Sequence, residues 1–192
     1  MNGPPTFAGR VIQISIEVGF TGANKNNSLY FMREALKEAQ KALGKNEVPV
    51  GAVVVYNDKI IGRGHNQSIT SKNPCAHAEI IALEKAARKL KSYRLNDTKI
   101  YVTVEPCAMC AGALVWARVS HIYYGAKDPK AGACGSILNV VNHKKLNHRI
   151  KITAGVLEND CRSIIQEFFQ RKRKKHGGVV SGSLVRRIRN PR

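Results

Sequence analysis

Residues 99–110 read KIYVTVEPCAMC. The first half, Lys99–Val104, is β-branched and apolar, which predicts a central strand covered on both faces. Pro106 then predicts the start of a helix, because proline favours the first helical turn. Cys107 and Cys110 lie three residues apart, so in that first turn both sulfurs can reach one metal ion. The segment therefore predicts a strand-to-helix turn that carries two metal-binding thiols.

A second helix start carries a histidine and a carboxylate. Pro74 precedes a segment, residues 76–90, whose apolar residues recur at helical spacing, and His77 and Glu79 fall in its first turn. Two positions apart, these side chains point to nearly opposite sides of a regular helix. They converge only if a metal ion lies over the end of the helix.

His77, Cys107 and Cys110 together supply three zinc ligands. A structural zinc site uses four protein ligands, whereas a catalytic one uses three and leaves the fourth position for water. Glu79 then has no ligand role and can move protons for that water. The pattern predicts a catalytic zinc centre with Glu79 as the proton carrier.

The other three cysteines are interpreted as non-ligands. Cys75 precedes His77 by two residues, but three ligands are already present, and a small buried thiol is the expected role. Cys134 lies in a Gly/Ala loop and Cys161 on an apolar helix face. An odd number of cysteines with a metal-type CxxC pair indicates a reducing compartment, so a cytoplasmic location is expected.

The remaining periodicity predicts a three-layer α/β/α sandwich with a five-stranded mixed sheet. The first helix is expected from Ser28, as N-cap, to Gly44. The further elements are a hairpin of strands at 50–55 and 59–62, strands at 121–125 and 150–153, and a last helix from about Glu158 with Cys161, Ile164, Ile165, Phe168 and Phe169 facing inward. Residues 1–27 are predicted to be a flexible extension, 28–170 the catalytic domain and 171–192 a basic tail.

The charge of the chain favours a polyanionic partner. There are 32 basic and 13 acidic residues, which gives a formal charge of +19 and a pI of about 10.1. Nucleic acid is the expected partner. A domain with a solvated basic tail is the alternative, because Arg171–Lys175 and Arg186–Arg192 supply much of the excess. No apolar run approaches the roughly 20 residues needed to span a bilayer, so no membrane association is expected.

The H-x-E and P-C-x-x-C pair is the signature of zinc nucleobase deaminases. Beyond it, the chain resembles bacterial tRNA-specific adenosine deaminases from about residue 28 to 169. The matching segments are EVPVGAV at 47–53, GHN at 64–66, AHAEI at 76–80, YVTVEPCAMCAGA at 101–113, GAKD at 125–128 and NHR at 147–149. Cytidine and guanine deaminases share little beyond the metal signature, so the match is specific to the adenosine branch.

The resemblance implies a cytidine-deaminase-like fold and hydrolytic deamination of the wobble adenosine of an arginine tRNA anticodon to inosine. It implies one Zn²⁺ per subunit, with a zinc-bound hydroxide attacking C6 of adenine. Glu79 would carry the proton from water to N1 and then to the leaving ammonia. The family is homodimeric, and the partner subunit would help to bind the anticodon stem-loop.

The resemblance also implies three substrate contacts, each with a plainer alternative. Asn66 would hydrogen-bond the flipped nucleotide, or only form a turn. Val48 would be part of the apolar wall against the base, or plain core. Asp128 would contact RNA beside the target base, or cap the turn at Pro129.

Two other functions stay open at this point. One is a deaminase that acts on free bases or nucleosides such as cytosine or guanine with the same metal site. The other is a non-catalytic, zinc-stabilised RNA-binding subunit. Glu79 argues against the second, because a structural metal site has no use for a carboxylate that is not a ligand.

Overall fold

The chain alternates helices and strands in the computed structural model, which describes residues 25–177. The elements are α1 (Lys25–Gly44), β1 (Gly51–Tyr56), β2 (Lys59–His65), α2 (Ala78–Leu90), β3 (Lys99–Val104), α3 (Ala108–Trp116), β4 (His121–Ala126), β5 (Lys151–Thr153) and α4 (Glu158–Gly177). No helix within these residues is long and apolar enough to cross a membrane.

All five strands form one mixed sheet in the order β2-β1-β3-β4-β5. β1 pairs antiparallel with β2 and with β3, whereas β3, β4 and β5 run parallel to one another. The carboxyl ends of β3 and β4 therefore lie at the same edge of the sheet. The loops that leave those ends carry Cys107 and Asp128.

The helices cover both faces of the sheet, which confirms the predicted three-layer sandwich. On one face, α2 and α3 pack with β-strand side chains that include Val54, Ile100 and Ile122. On the other face, α1 and α4 enclose a smaller cluster that includes Met32, Tyr101 and Cys161. The central strand β3 is buried from Ile100 to Thr103, as its β-branched sequence predicts.

The ends of the outer helices differ from the prediction. α1 begins at Lys25, so Ser28 lies within the helix and is not its N-cap. The polar residues before Ser28 carry no apolar periodicity, which is why the sequence gives no sign of this extra turn. α4 runs to Gly177 and therefore includes residues 171–177 of the predicted tail. Phe169 was expected to face inward and is instead 44% exposed.

The domain boundaries at 27/28 and 170/171 stay predictions. Residues 1–24 of the proposed extension and 178–192 of the proposed tail lie outside the described residues.

α2 rests directly on β2 because both elements present very small residues. A Cβ at Gly64 would lie 2.1 Å from the carbonyl oxygen of Ala78, and one at Gly62 would lie 2.2 Å from that of Ala82. Both alanines are fully buried. The backbone of the helix therefore contacts the backbone of the strand, and the first turn of α2 is fixed beside the end of β2.

Gly64→Ala tests this contact. The added methyl group would overlap backbone atoms of α2, which can make room only if the whole helix moves away from the sheet. We therefore expect a loss of about 1–3 kcal/mol or more in the free energy of unfolding. Gly44→Ala is the control, because a Cβ there meets nothing within 4 Å. Denaturant unfolding measures both variants. Equal stability of Gly64→Ala and wild type would contradict the close contact.

Candidate active site

His77 reaches the site as the residue that precedes α2. It is the N-cap, with extended backbone angles of φ −79° and ψ 155°, and Glu79 is the second residue of the helix. Because His77 lies outside the helical geometry, its spacing of two from Glu79 no longer sends the side chains to opposite sides. The sequence predicted convergence over the helix end, and an extended N-cap residue is the way in which the chain achieves it.

Cys107 and Cys110 reach the site in the same manner. Cys107 is the N-cap of α3, again extended with φ −71° and ψ 173°, and Cys110 is the third residue of that helix. Ala111 N–H donates to the carbonyl oxygen of Cys107 over 2.8 Å, which closes the first turn. Since only Glu105, Pro106 and Cys107 separate β3 from α3, the central strand places the cysteines.

The three predicted ligands lie together. His77 Nδ1 is 3.7 Å from Cys107 Sγ and 3.5 Å from Cys110 Sγ. The three ligand atoms lie within 4.8 Å of one another. In a tetrahedral zinc site the bonds are about 2.0 Å to nitrogen and 2.3 Å to sulfur, which places a nitrogen ligand about 3.5 Å from a sulfur ligand. The spacing and the nitrogen and sulfur donors therefore both suit Zn²⁺.

A hydrogen bond between the two thiols moves their pKa values in opposite directions. Hydrogen bonds from Cys110 and His77 lower the pKa of Cys107 to about 3. The same hydrogen bond with Cys107, together with burial, raises the pKa of Cys110. A second thiolate at this distance needs a cation to neutralise it. The partial positive charges at the N-termini of α2 and α3 also favour negative charge here.

Glu79 is buried beside the ligands, with 3% of its surface exposed. Burial raises the pKa of its carboxyl to about 7, although hydrogen bonds with its own backbone N–H and with Cys110 act in the opposite direction. A carboxyl group with a pKa near 7 can accept and return a proton at neutral pH. Glu79 therefore has the position and the acidity that a proton carrier needs.

Asn66 lies at the end of β2 and anchors the start of α2. Its Oδ1 accepts a hydrogen bond from Ala78 N–H over 2.9 Å, in a buried position. The amide therefore has a structural role, which is to anchor a helix and not to form a turn. Within residues 25–177 the Nδ2 group donates no hydrogen bond. Asn66 can therefore hold the helix with one end of its amide and contact a ligand with the other.

Val48 precedes β1 and is half-buried. It belongs to neither apolar cluster of the sandwich, so the alternative that Val48 is plain core has no support. Its contact with a base remains a prediction.

Asp128 follows β4 and caps the turn that begins there. Its Oδ1 accepts hydrogen bonds from Lys130 N–H at 2.9 Å and Ala131 N–H at 3.1 Å. The structure thus gives Asp128 the capping role named as the alternative. A contact between Asp128 and RNA remains a prediction.

Cys75, Cys134 and Cys161 lie outside the cluster of ligands. Cys134 and Cys161 are buried, and burial raises the pKa of each to about 12. Cys75 is exposed, contrary to the buried position expected for it.

One polar residue of the site carries no role in the sequence prediction. Glu105 lies between β3 and Pro106, is 2% exposed, and accepts hydrogen bonds from Asp128, Cys134 and Ser136. The available signal was an acidic residue directly after a mainly apolar strand, because a buried carboxylate needs hydrogen-bond donors.

A three-layer sandwich that brings a histidine, two cysteines and a buried glutamate to the ends of two helices defines a deaminase with the cytidine-deaminase-like fold. The family model of MafB19-like deaminases matches residues 26–173. The chain belongs to that deaminase family, and relatives at 45–46% identity place it among the tRNA-specific adenosine deaminases, which are enzymes.

Close relatives support this assignment over most of their length. The tRNA-specific adenosine deaminase of Bacillus subtilis (strain 168) is 45% identical over 145 residues, which are 76% of this chain and 90% of that protein. The enzyme of the same name from Haemophilus influenzae (strain ATCC 51907 / DSM 11121 / KW20 / Rd) is 46% identical over 145 residues, 75% of this chain and 84% of that protein.

Solved structures agree with the fold. One from studies of A-to-I editing by tRNA:A34 deaminases has a TM-score of 0.68 and 38% identity, and the match covers 70% of this chain and 98% of that one. A guanine deaminase from Nitrosomonas europaea has a TM-score of 0.63 at 20% identity, covering 83% of this chain and 98% of that one, which shows a common fold.

Asn66→Ala and Asn66→Asp test the anchoring role of Asn66. Alanine leaves the buried Ala78 N–H without an acceptor, so we expect a loss of about 1–3 kcal/mol in the free energy of unfolding. Aspartate retains an oxygen at that position and should lose less than half as much. Denaturant unfolding compares the two variants. Equal losses would show that the hydrogen bond to Ala78 does not hold the start of α2.

Proposed function

We propose that this protein deaminates adenosine to inosine at the wobble position of a tRNA anticodon, in a zinc-dependent hydrolysis, and that an arginine tRNA is the substrate. The observation that carries the proposal is Glu79, a buried carboxyl group beside three zinc-type ligands and not one of them. The names of the relatives, tRNA-specific adenosine deaminase and tRNA:A34 deaminase, supply the substrate class.

One Zn²⁺ per subunit would be held by His77, Cys107 and Cys110. When bound, the ion supplies a hydroxide nucleophile at neutral pH by lowering the pKa of water from about 15.7 towards 7. Glu79 takes the proton that water gives up and delivers it to N1 of adenine as hydroxide adds to C6. Glu79 then takes the proton of the new C6 hydroxyl group and passes it to the amino group, so that the C6–N bond breaks, ammonia leaves and a carbonyl group forms at C6.

Asn66 and Val48 would orient the nucleotide. The Oδ1 of Asn66 is fixed by Ala78 N–H, so the free Nδ2 is held in place to donate a hydrogen bond to the flipped nucleotide. Val48 is half-buried at the start of β1, where it can form part of the apolar wall against the base. Asp128 uses only Oδ1 to cap its turn, and its other carboxylate oxygen can accept a hydrogen bond from RNA.

An RNA substrate is supported by unpaired basic side chains as well as by the total charge. In the described part of the chain, Lys144, Lys145, Arg149 and Lys151 are exposed and form no ion pair or hydrogen bond through their side chains. No acidic residue lies between positions 142 and 151. Such a segment attracts phosphate groups, which a free base or nucleoside lacks. The basic residues from 171 onward can extend the same contact.

A homodimer on the anticodon stem-loop is part of the proposal. Met109 and Trp116 lie seven residues apart on one face of α3 and are 37% and 76% exposed. This apolar face belongs to the helix that carries Cys110, so a partner subunit bound to it would lie near the site. We also propose a cytoplasmic location, where tRNA is processed and where the five free cysteines stay reduced.

Glu79→Gln and Cys107→Ser should differ in zinc content, although both should lose activity. Glu79→Gln removes the proton carrier but no ligand, so zinc content should stay at one per subunit while kcat falls by about 10²–10⁴. Cys107→Ser removes a thiolate ligand and should lose both zinc and activity. Metal analysis and turnover measure both effects, and Cys161→Ser is the control for a buried sulfur outside the cluster. Turnover by zinc-loaded Glu79→Gln at the wild-type rate would refute the mechanism.

The substrate is tested with an arginine anticodon stem-loop that carries adenosine at the wobble position. We expect inosine at that position, and no comparable kcat/KM for free adenosine, cytidine or guanine. Mass spectrometry of the nucleosides after digestion identifies the product. Faster turnover of a free nucleoside or base would favour the small-molecule deaminase. Absence of turnover on every substrate by the zinc-loaded protein would favour a non-catalytic RNA-binding subunit.

A further inference from the structure

Glu105 is a buried carboxylate that the proposed chemistry does not use. Its Oε1 accepts hydrogen bonds from Cys134 N–H and Ser136 N–H, each at 3.0 Å. Its Oε2 accepts from Asp128 N–H at 3.2 Å and from the Ser136 hydroxyl. Every one of these donors belongs to residues 128–136, which we call the clamped segment. Four donors from one loop therefore converge on a single side chain.

The clamped segment also lies directly on the turn that carries Cys107. Ala133 N–H donates to the carbonyl oxygen of Pro106 over 2.8 Å, and Cys107 pairs with Gly132 in an isolated β-bridge. A Cβ at Gly132 would lie 2.5 Å from the Glu105 carboxylate. The clamped segment is thus in direct contact with the strand-to-helix turn.

The buried carboxylate of Glu105 depends on its hydrogen bonds with the clamped segment. No cationic side chain pairs with Glu105 in the described part of the chain. Its desolvation is offset only by donors of the clamped segment, and a buried charge that loses its donors is strongly destabilising. The carboxylate therefore favours one position of the segment over all others.

We infer that Glu105 is a positioning residue that fixes the clamped segment, with Asp128 at its start, against the turn carrying Cys107. The inference rests on the proposed function, in which Asp128 faces RNA beside the target base. In that reaction Glu105 contacts neither the base nor the ligand atoms. Glu105 holds the clamped segment in a constant position relative to the turn that carries Cys107. RNA bound by the segment is thereby kept at a fixed distance from the zinc site.

Glu105→Gln in the full-length, zinc-loaded protein tests the inference. The amide replaces one carboxylate oxygen by an NH₂ group, so whichever way it turns, at least one backbone N–H loses its acceptor. We expect amide hydrogen exchange of the affected residues, Asp128 or Cys134 and Ser136, to accelerate by about tenfold, with exchange in β4 unchanged. On the anticodon stem-loop we expect KM to rise about tenfold and kcat to change by less than about threefold. Zinc content should not change.

Two milder variants keep the test independent of any folding defect in Glu105→Gln. Ser136→Ala removes one donor and should raise KM by about twofold to threefold, whereas Ser136→Thr retains the hydroxyl group and should keep the wild-type KM. Glu34→Gln is the matched control, because Glu34 is a buried carboxylate of α1 that binds Lys37 and Arg63 at 2.6 and 2.7 Å. It should lower the melting temperature and leave KM unchanged.

The inference is overturned if Glu105→Gln keeps the wild-type KM and amide exchange, or if Glu34→Gln raises KM equally. It is also overturned if Glu105→Gln loses zinc and kcat at constant KM, since Glu105 would then support the metal ligands alone. If wild type fails to deaminate the stem-loop, the proposed function is wrong. Unaccelerated exchange in Glu105→Gln would still overturn the clamp in that case, because the exchange measurement needs no substrate.

Discussion

The N-termini of α2 and α3 meet at one point, and the chemistry of the protein depends on that meeting. Each helix is preceded by an extended residue, His77 or Cys107, which can reach sideways because it is not bound to helical geometry. The helix ends add partial positive charge, worth about 0.3–1 kcal/mol each towards a nearby anion. The sheet determines where the two helix ends meet. α3 follows the central strand β3, and α2 packs on β2, which lies two strands away from β3 in the sheet.

Three buried glutamates show how the fold separates structural carboxylates from the reactive one. Burial alone would raise the pKa of Glu47, but hydrogen bonds from Thr70 and Ile69 outweigh it and lower the pKa. Glu105 receives four hydrogen bonds from one loop. Glu79 has its own N–H and Cys110 as partners, and burial raises its pKa to about 7. A carboxyl group with few donors retains the ability to exchange protons, whereas one with many donors holds the chain in place.

Sequence patterns predicted the sheet and the ligand cluster because both depend on local signals. The strand 99–104 is mainly β-branched and apolar, and the cysteine pair has metal-site spacing. The partners of Glu105 could not be predicted, because they are mainly backbone N–H groups 23 to 31 residues further along, and backbone groups carry no sequence signature. The start of α1 was missed for a different reason, since polar residues before Ser28 extend a helix without extending its apolar stripe.

The contact between α2 and β2 also limits how the pocket can be altered. The backbone of α2 contacts the backbone of β2 at Gly62 and Gly64, so at these two positions there is no side chain whose size could be changed to shift His77. The position of His77 at the start of α2 is therefore set by the backbone contact between α2 and β2. Diversification of substrate preference, by natural drift or by design, is left to the connecting loops at the strand ends, including those around Val48, Asn66 and Asp128.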